Sequence, residues 1–251
     1  NNNLLGQIGK IFSLVDVGSK QFLTNKVDRS VTGLVVQQQC VGPFHLPLSN
    51  LAAVKMSHNV SSVLVSAIGE RPILGVGGSI RDMVRLTVGE MLTNIIWCEI
   101  GSIRNINSVA NWMWPSINSE DGWWLHEAVL ELTSCSHMLG FSINGGKDSL
   151  SMKVKHNEQE IKAPSTLTLS GYTSVVSHHN IITPDLKGQS NIILLVRLDT
   201  FRGSLDGSAY ARKFGGNGVP VRWDNIEKFP GLFLIVQDYI KDKAILSGHD
   251  I

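Results

Sequence analysis

Two repeat lengths in the pattern of apolar and polar positions divide the chain into predicted helices and strands. In residues 80–98 and 121–139 the apolar side chains recur every three to four positions, which predicts two amphipathic helices. Residues 166–176 instead alternate between apolar and polar, with Leu167 and Leu169 on one side, as in a strand that buries one face. The chain therefore combines both kinds of element.

Further strands are predicted from short runs of β-branched and other apolar residues. Residues 20–26 and 31–36 are interpreted as strands, and residues 60–68 fit either a helix or a strand. The continuous apolar run at 191–198 predicts a strand that is covered on both faces. Residues 229–246 contain one more predicted helix. Because the strands come in groups and do not alternate strictly with helices, the fold class is predicted to be α+β.

The composition is that of a folded protein with a balanced charge. The chain has 251 residues, of which 43% are hydrophobic and 17% charged, and its formal net charge is +1. A disordered chain has fewer apolar residues and more charge. Binding to nucleic acid through bulk charge is not expected, because there is no excess of lysine and arginine to displace phosphate counterions. No apolar run reaches the length of about 18 residues that a membrane span needs, and the first residues do not resemble a signal peptide.

The three cysteines indicate a reducing compartment. Cys40, Cys98 and Cys135 are odd in number, far apart and without a CxxC pair, so neither a disulfide framework nor a zinc knuckle is expected. We therefore predict a cytoplasmic location, where thiols stay reduced.

Glu90 and Asn94 form the first candidate for chemistry. They lie four residues apart in a predicted helix, so their side chains project from the same face. Carboxylate and amide oxygens suit a hard cation such as Mg²⁺, which completes its coordination with water and phosphate oxygens. An exposed polar stripe without any ligand explains the same spacing, and spacing alone leaves both interpretations open.

Two glycine-rich strings are further candidates. The string Gly-Gly-Lys-Asp-Ser at residues 145–149 would let the backbone approach a ligand and offers Lys147 for a phosphate or carboxylate, but a charged hairpin turn explains it equally well. The string at residues 75–82 precedes a predicted helix and could present backbone N–H groups to an anion, or form an ordinary loop. The string at residues 145–149 lacks the spacing of a P-loop.

Several longer strings occur together in the order of one known family. They lie at residues 20–35, 37–43, 89–94, 110–114, 145–152 and 247–250. On these strings the chain resembles the large, eukaryotic-type phosphoribosylformylglycinamidine synthases, also called formylglycinamide ribonucleotide amidotransferases. The resemblance extends from about residue 20 to residue 251.

The resemblance implies a fold, an activity and partners. The expected fold is that of aminoimidazole ribonucleotide synthetase: an N-terminal-type α+β domain at residues 1–175 and the start of a truncated C-terminal-type domain at residues 176–251. The family's ligase uses ATP and glutamine to convert formylglycinamide ribonucleotide into formylglycinamidine ribonucleotide in purine biosynthesis. The chain is expected to be a fragment of the second synthetase half, inactive alone and partnered by the first half and a glutaminase domain.

The resemblance also assigns residues to an auxiliary site for ATP or ADP with Mg²⁺. Lys20 and Ser49 match nucleotide-contacting positions. The metal-binding positions match Asn50, Glu90, Asn94 and Asp250. The family usually has aspartate where this chain has Asn50, so weaker metal binding is expected, because hard cations are held partly by the charge of their ligands.

Two implications of the resemblance concern surfaces of the chain. Gly146, Lys147 and Asp148 are expected on the substrate side, near the interface between the synthetase halves. The N-terminal-type domain is expected to expose an apolar sheet face. The departure at Asn50 also keeps a second hypothesis open, namely a degenerate, non-catalytic paralogue that acts as a scaffold or interaction module.

Overall fold

A mixed six-stranded sheet forms the centre of the computed structural model, which describes residues 3–27, 29, 31–72, 79–188, 190–197, 207–215 and 221–250. The strands in chain order are β1 (Val35–Gln37), β2 (Ala52–Lys55), β3 (Val63–Pro72), β4 (Asn107–Met113), β5 (Ser142–Ser149), β6 (Lys153–His156), β7 (Gln159–Lys162) and β8 (Thr166–Val175). The order across the sheet is β1-β2-β3-β8-β4-β5, and β6 and β7 form a separate hairpin. Neighbouring strands are antiparallel except β4 and β5, which are parallel.

Six α-helices accompany the sheet in the described part of the chain. They are α1 (Leu4–Phe12), α2 (Gln21–Thr24), α3 (Ile80–Ile95), α4 (Ser119–Leu139), α5 (Ala209–Phe214) and α6 (Phe229–Lys241). The two long helices confirm the predictions for residues 80–98 and 121–139. Gly140 ends α4 with a φ of 89°, a left-handed conformation that glycine adopts without a steric penalty.

Alternation along β3 and β8 decides which face of the sheet is buried. In β3, Val63 and Val65 are fully buried against the helices, whereas Leu64 and Ile68 remain 46% and 55% exposed on the other face. In β8, Leu167 and Leu169 are fully buried, as their alternation predicts. The sheet therefore has one face packed in the core, and on its other face Leu64 and Ile68 are exposed.

Helix α3 lies unusually close to the sheet because two glycines face it. A Cβ added to Gly69 in β3 would lie 2.0 Å from the carbonyl oxygen of Thr87, and one added to Gly171 in β8 would lie 2.3 Å from the sulfur of Met91. Ser79 caps the helix by accepting a hydrogen bond from the Asp82 N–H. This close packing fixes the position of the last turns of α3, which carry Glu90 and Asn94.

Helix α6 is fixed beside the end of α3 by a buried amide. The Oε1 atom of Gln237 accepts hydrogen bonds from the backbone N–H groups of Ile100 (2.7 Å) and Gly101 (2.8 Å), and its Nε2 donates to the carbonyl of Ile96 (2.9 Å). Phe233 of the same helix belongs to the hydrophobic core that the sheet and α3 share. The packing thus joins the last helix to the sheet through both apolar and polar contacts.

Three of the local predictions are wrong, and the strand predicted at 31–36 begins only at Val35, because residues 31–33 form a turn of 3-10 helix. The segment at 20–26 contains the short helix α2 and no strand, because main-chain bonds run from Leu23 and Thr24 back to the Lys20 carbonyl. The hairpin turn that is one interpretation of residues 145–149 is not formed, because Gly145 and Gly146 lie inside β5 and pair with β4. Residues 191–197 form no strand, and side chains from Ile192 (86% exposed) to Val196 (58% exposed) face solvent, because no described strand pairs with them.

Parts of two predicted features lie outside the described residues. They are residues 75–78 of the glycine-rich string and residue 198 of the predicted strand. Within the described residues, no helix is both long and apolar enough to span a membrane.

Candidate functional site

Three polar side chains from distant parts of the chain meet at one place. Asn50 lies two residues before the start of β2, Asn94 lies in the last turn of α3, and Asp250 lies in the tail that follows α6. The Asn50 Nδ2 group donates to Asn94 Oδ1 (2.9 Å) and also to Asp250 Oδ1. We call these three residues the amide cluster.

Neighbouring groups complete the hydrogen bonding of the amide cluster. Asn94 Nδ2 donates to the backbone carbonyl of Ile68 in β3 (3.0 Å). Asn50 Oδ1 lies 2.7 Å from His249 Nδ1, which is also 3.5 Å from Asp250 Oδ1. The cluster thus connects four parts of the chain by hydrogen bonds: the loop that carries Asn50, β3 at Ile68, the end of α3 and the tail.

Glu90 lies one helical turn before Asn94 and is engaged elsewhere. Its Oε2 atom accepts a hydrogen bond from the backbone N–H of Glu70 (3.0 Å) and lies 3.8 Å from Arg71 Nη2. The structure shows no direct contact between its carboxylate and the amide cluster. Glu90 and Asn94 therefore share a helix face, as their spacing predicts, but they bind different parts of β3.

The residues matched to nucleotide positions form internal hydrogen bonds. The ammonium group of exposed Lys20 donates to the carbonyl oxygens of Val15 and Gly18. The Ser49 hydroxyl donates to the Leu51 carbonyl (2.5 Å) and accepts from Gln37 Nε2. Ser49 is adjacent to Asn50 in sequence, whereas no contact in the structure joins Lys20 to the amide cluster.

A second set of contacts holds the tail that carries Asp250. The backbone N–H of Gly248 donates to the Thr183 carbonyl (3.2 Å), and the Ser247 hydroxyl donates to the Asp185 carbonyl (2.7 Å). A Cβ on Gly248 would lie 2.0 Å from the ring of Trp97, so only glycine fits between the tail and this ring. Contacts at Ser247 and Gly248 therefore fix the path of the tail just before Asp250.

Asp185 supports this anchor electrostatically. Its Oδ1 accepts from the Thr183 hydroxyl (2.6 Å) and lies 3.3 Å from Lys187 Nζ. Burial raises the pKa of the Asp185 carboxyl, but the hydrogen bonds from Thr183 and Lys187 together with the Lys187 charge outweigh it and hold the pKa below its ordinary value. The carboxylate is thus stabilised in its charged form.

The string Gly146, Lys147 and Asp148 lies away from the amide cluster. It belongs to β5, an edge strand, and β3, β8 and β4 separate it from β2 in the sheet. All three residues are exposed, and the Lys147 ammonium donates to the Ser149 hydroxyl two residues along. The structure therefore separates the predicted substrate-side residues from the predicted metal residues.

The amide cluster, as it is arranged, does not fit a resident Mg²⁺ ion. It contains one carboxylate, that of Asp250, and the Asn50 group between the two acceptor oxygens is an N–H donor. A hard cation requires oxygen lone pairs at this position and gains from several negative charges. Among the described residues, no group of three or more His, Cys, Asp or Glu side chains is arranged to hold a metal ion.

Sequence reasoning did not assign a role to three residues that shape this site. His249 contacts Asn50, Asp185 anchors the tail, and Trp97 packs against Gly248. Of these three, only His249 could have been suspected from the sequence, because it lies beside Asp250 in one of the family strings. The other two act through contacts between segments that are far apart in sequence, which periodicity does not report.

Comparison with known families gives one match to most of the chain. The family described as FGAR-AT PurM_N-like domain matches residues 19–174. This range includes α2, both long helices and the six-stranded sheet except for Val175, the last residue of β8.

Curated relatives extend the similarity over nearly the whole chain. The chain is 38% identical over 97% of its length to a protein named phosphoribosylformylglycinamidine synthase from Dictyostelium discoideum. It is 37% identical over 96% of its length to the protein of the same name from Homo sapiens. In both cases the chain spans only 18% of the relative's length. A solved structure described as PurLQS from Thermotoga maritima is 16% identical, with a TM-score of 0.45 over 67% of this chain and 25% of that one.

Proposed function

The chain belongs to the FGAR-AT PurM_N-like domain family, and we propose that it works as part of a phosphoribosylformylglycinamidine synthase. The observation that carries this proposal is the identity of 38% over 97% of the chain to a synthase of which it spans 18%. Relatives from four other organisms carry the same name, two of them with the qualifier "probable". A scaffold or interaction module without a role in catalysis is not favoured by these names.

The proposed reaction is an amidation that depends on ATP and glutamine. Phosphoryl transfer from ATP activates the amide oxygen of formylglycinamide ribonucleotide, and ammonia from glutamine then displaces phosphate to form the amidine. Phosphoryl transfer depends chiefly on positioning and on stabilising charge. We assign the glutaminase step and the principal ATP site to the remaining length of the enzyme, and therefore expect no turnover from this chain alone.

The contribution that we propose for this chain is a site for ATP or ADP beside the amide cluster. Ser49 is adjacent to Asn50, and the positively charged ammonium of Lys20 donates to two backbone carbonyls. A phosphate group offers this ammonium a charged acceptor, which forms a stronger hydrogen bond than a neutral carbonyl. We assign Mg²⁺ to the nucleotide phosphates and not to the chain alone, because the cluster supplies a single carboxylate.

We further propose that the exposed sheet face contacts the first synthetase half. Leu64 and Ile68 on this face would lose their contact with water in such an interface, which is favourable for apolar side chains. Gly146, Lys147 and Asp148 would then lie at the edge of the interface, on the side of the substrate. The glutaminase domain is the other proposed partner.

The proposed location is the cytoplasm. All three cysteines are free and buried, which suits a compartment where thiols stay reduced. The relative from Arabidopsis thaliana is named as chloroplastic/mitochondrial, so this location is proposed for this chain only. Cell fractionation with an antibody to the chain tests it.

Binding of ADP tests the proposed nucleotide site. With Mg²⁺ present, ADP at a hundredfold excess over its Kd should raise the melting temperature of the chain by about 5 °C, because a ligand that binds only the folded state stabilises it. Lys20→Ala should remove most of this shift, whereas Lys10→Ala, which removes an exposed lysine from α1, should keep it. A melting temperature that does not change with ADP would contradict the site.

A further inference from the structure

We infer that the side-chain amide of Asn50 closes the amide cluster by hydrogen bonding and holds its three residues together without a metal ion. The inference concerns only the interactions that hold the three side chains together, so it does not depend on the proposed ligase role. It also accounts for the poor fit of the cluster to the Mg²⁺ ion that the resemblance implies.

The direction of every hydrogen bond in the cluster follows from one backbone group. The carbonyl oxygen of Ile68 can only accept, so the Asn94 side chain must turn its Nδ2 toward it and its Oδ1 toward Asn50. Asn50 must then present its Nδ2 to this oxygen. The orientation of both amides is thus set by their partners, which is the sound basis for assigning amide nitrogen and oxygen.

The donors of Asn50 are fully used in this arrangement. An amide NH₂ has two hydrogens, and Asn50 directs them to Asn94 Oδ1 and to the Asp250 carboxylate. Its Oδ1 accepts from His249 Nδ1–H. The two oxygens that a cation would bridge are therefore already bridged by hydrogens that carry partial positive charge.

Admitting a cation would require several rearrangements at once. Asn50 would have to rotate its amide by half a turn to present oxygen, which would break its bonds to Asn94 and Asp250. Its Nδ2 would then face His249 Nδ1, which would have to become an acceptor. The charge gained would be small, because Asp250 is the only carboxylate in the cluster and Glu90 is held by Glu70 and Arg71.

The Asn50 amide therefore connects the oxygen atoms that a metal ion would otherwise connect. It joins the loop before β2 to the end of α3 and to the tail. Asn94 lies 44 residues and Asp250 lies 200 residues after Asn50 along the chain. A carboxylate at position 50 could not donate to either partner, so it would need a cation to hold the same three segments together. The identity of this one residue thus decides whether the cluster depends on metal.

Melting of the chain and of the Asn50→Asp variant in EDTA and in millimolar Mg²⁺ tests this inference. The native chain should melt at the same temperature in both solutions. Asn50→Asp should melt lower in EDTA by about 5 °C, because two hydrogen bonds are lost and two carboxylates face each other. Mg²⁺ should restore most of this loss.

A matched control separates this effect from a general effect of added charge. Asn144→Asp removes an amide that donates to Asn107 Oδ1 (2.6 Å) on the exposed edge of the sheet, so it loses one asparagine pair and gains one charge away from the cluster. Its melting temperature should not depend on Mg²⁺. Should Asn50→Asp fail to fold in EDTA, refolding it with and without Mg²⁺ gives the same comparison.

Three results would overturn the inference. The first is a native chain whose melting temperature differs by several degrees between Mg²⁺ and EDTA, which would mean that the cluster holds an ion despite its amide. The second is an Asn50→Asp variant that melts like the native chain in EDTA, and the third is an Asn50→Asp variant that stays destabilised in Mg²⁺.

Discussion

At the scale of the residue, the site depends on side chains whose hydrogen bonds or size admit no substitute. Asn50 needs an amide to satisfy two acceptors, Gln237 needs one to satisfy three backbone groups, and Gly248 needs to have no side chain at all. None of these three demands can be predicted from the pattern of apolar and polar residues along the chain. Each is a matter of local geometry, and each leads to a specific prediction.

Gly248→Ala should displace the tail that carries Asp250. The added Cβ would lie 2.0 Å from the Trp97 ring, far inside van der Waals contact, so the tail or the ring must move. We expect a lower melting temperature, equivalent to about 2 kcal/mol of stability. Gly231→Ala in α6 is the control, because nothing lies within 4 Å of its added Cβ, and it should leave stability equal or slightly higher.

Gln237→Leu should destabilise the chain strongly although leucine is apolar and of similar size. The substitution removes the donor to the carbonyl of Ile96 and the acceptor of the Gly101 N–H, and it leaves the Ile100 N–H with only its bond to the Cys98 carbonyl (2.9 Å). A loss of about 3 kcal/mol is expected, because buried unsatisfied groups are costly. Urea unfolding measures it, with the exposed Asp238→Asn as control. Equal stability of both variants would contradict the role given to Gln237.

At the scale of the element, the sequence predicts what depends on periodicity and misses what depends on pairing. Helices α3 and α4 were predictable because their apolar residues repeat at helical spacing, and β8 because its residues alternate. The run at 191–198 has the composition of a strand, but a strand also needs a partner, and no described strand pairs with residues 191–197. Residues 145–146 contain glycines typical of a turn, yet pairing with β4 makes them part of β5.

The segment that anchors the tail should weaken in acid. The folded state lowers the pKa of Asp185, so this carboxylate stabilises the fold above its ordinary pKa, and the stabilisation is lost as the pH falls through the lowered value. Asp185→Asn should therefore lower the melting temperature at neutral pH. The difference from the native chain should shrink on acidification. A difference that stays constant down to about pH 3 would contradict a role for this charge.

At the scale of the whole molecule, the candidate site is a product of the tertiary fold. Glu90 and Asn94 were predictable as one helix face because four residues separate them. Asn50 and Asp250 are 200 residues apart, and only the resemblance to a family suggested that they meet. No rule of local spacing predicts the path of the tail past Trp97 and Asp185, because that path is set by contacts between distant segments.

Thiol reactivity reports on the integrity of this whole fold. Burial raises the pKa of Cys98 to about 12, and burial together with the charge of Glu131 raises the pKa of Cys135 to about 12. Neither thiol should react with a disulfide reagent at pH 8 until the chain unfolds. Both should then react in step with the loss of circular dichroism in urea. Rapid reaction in the native state would show that the core opens locally.

The most direct test of the proposed function is to exchange the matching segment of a relative for this chain. In the full-length Dictyostelium discoideum synthase, the 251-residue chain would replace the region to which it is 38% identical, and phosphate release that depends on formylglycinamide ribonucleotide and glutamine would be measured. The account predicts turnover well above that of a synthase from which the segment is deleted. A chimera that has the size and melting behaviour of the parent enzyme but no turnover would contradict it.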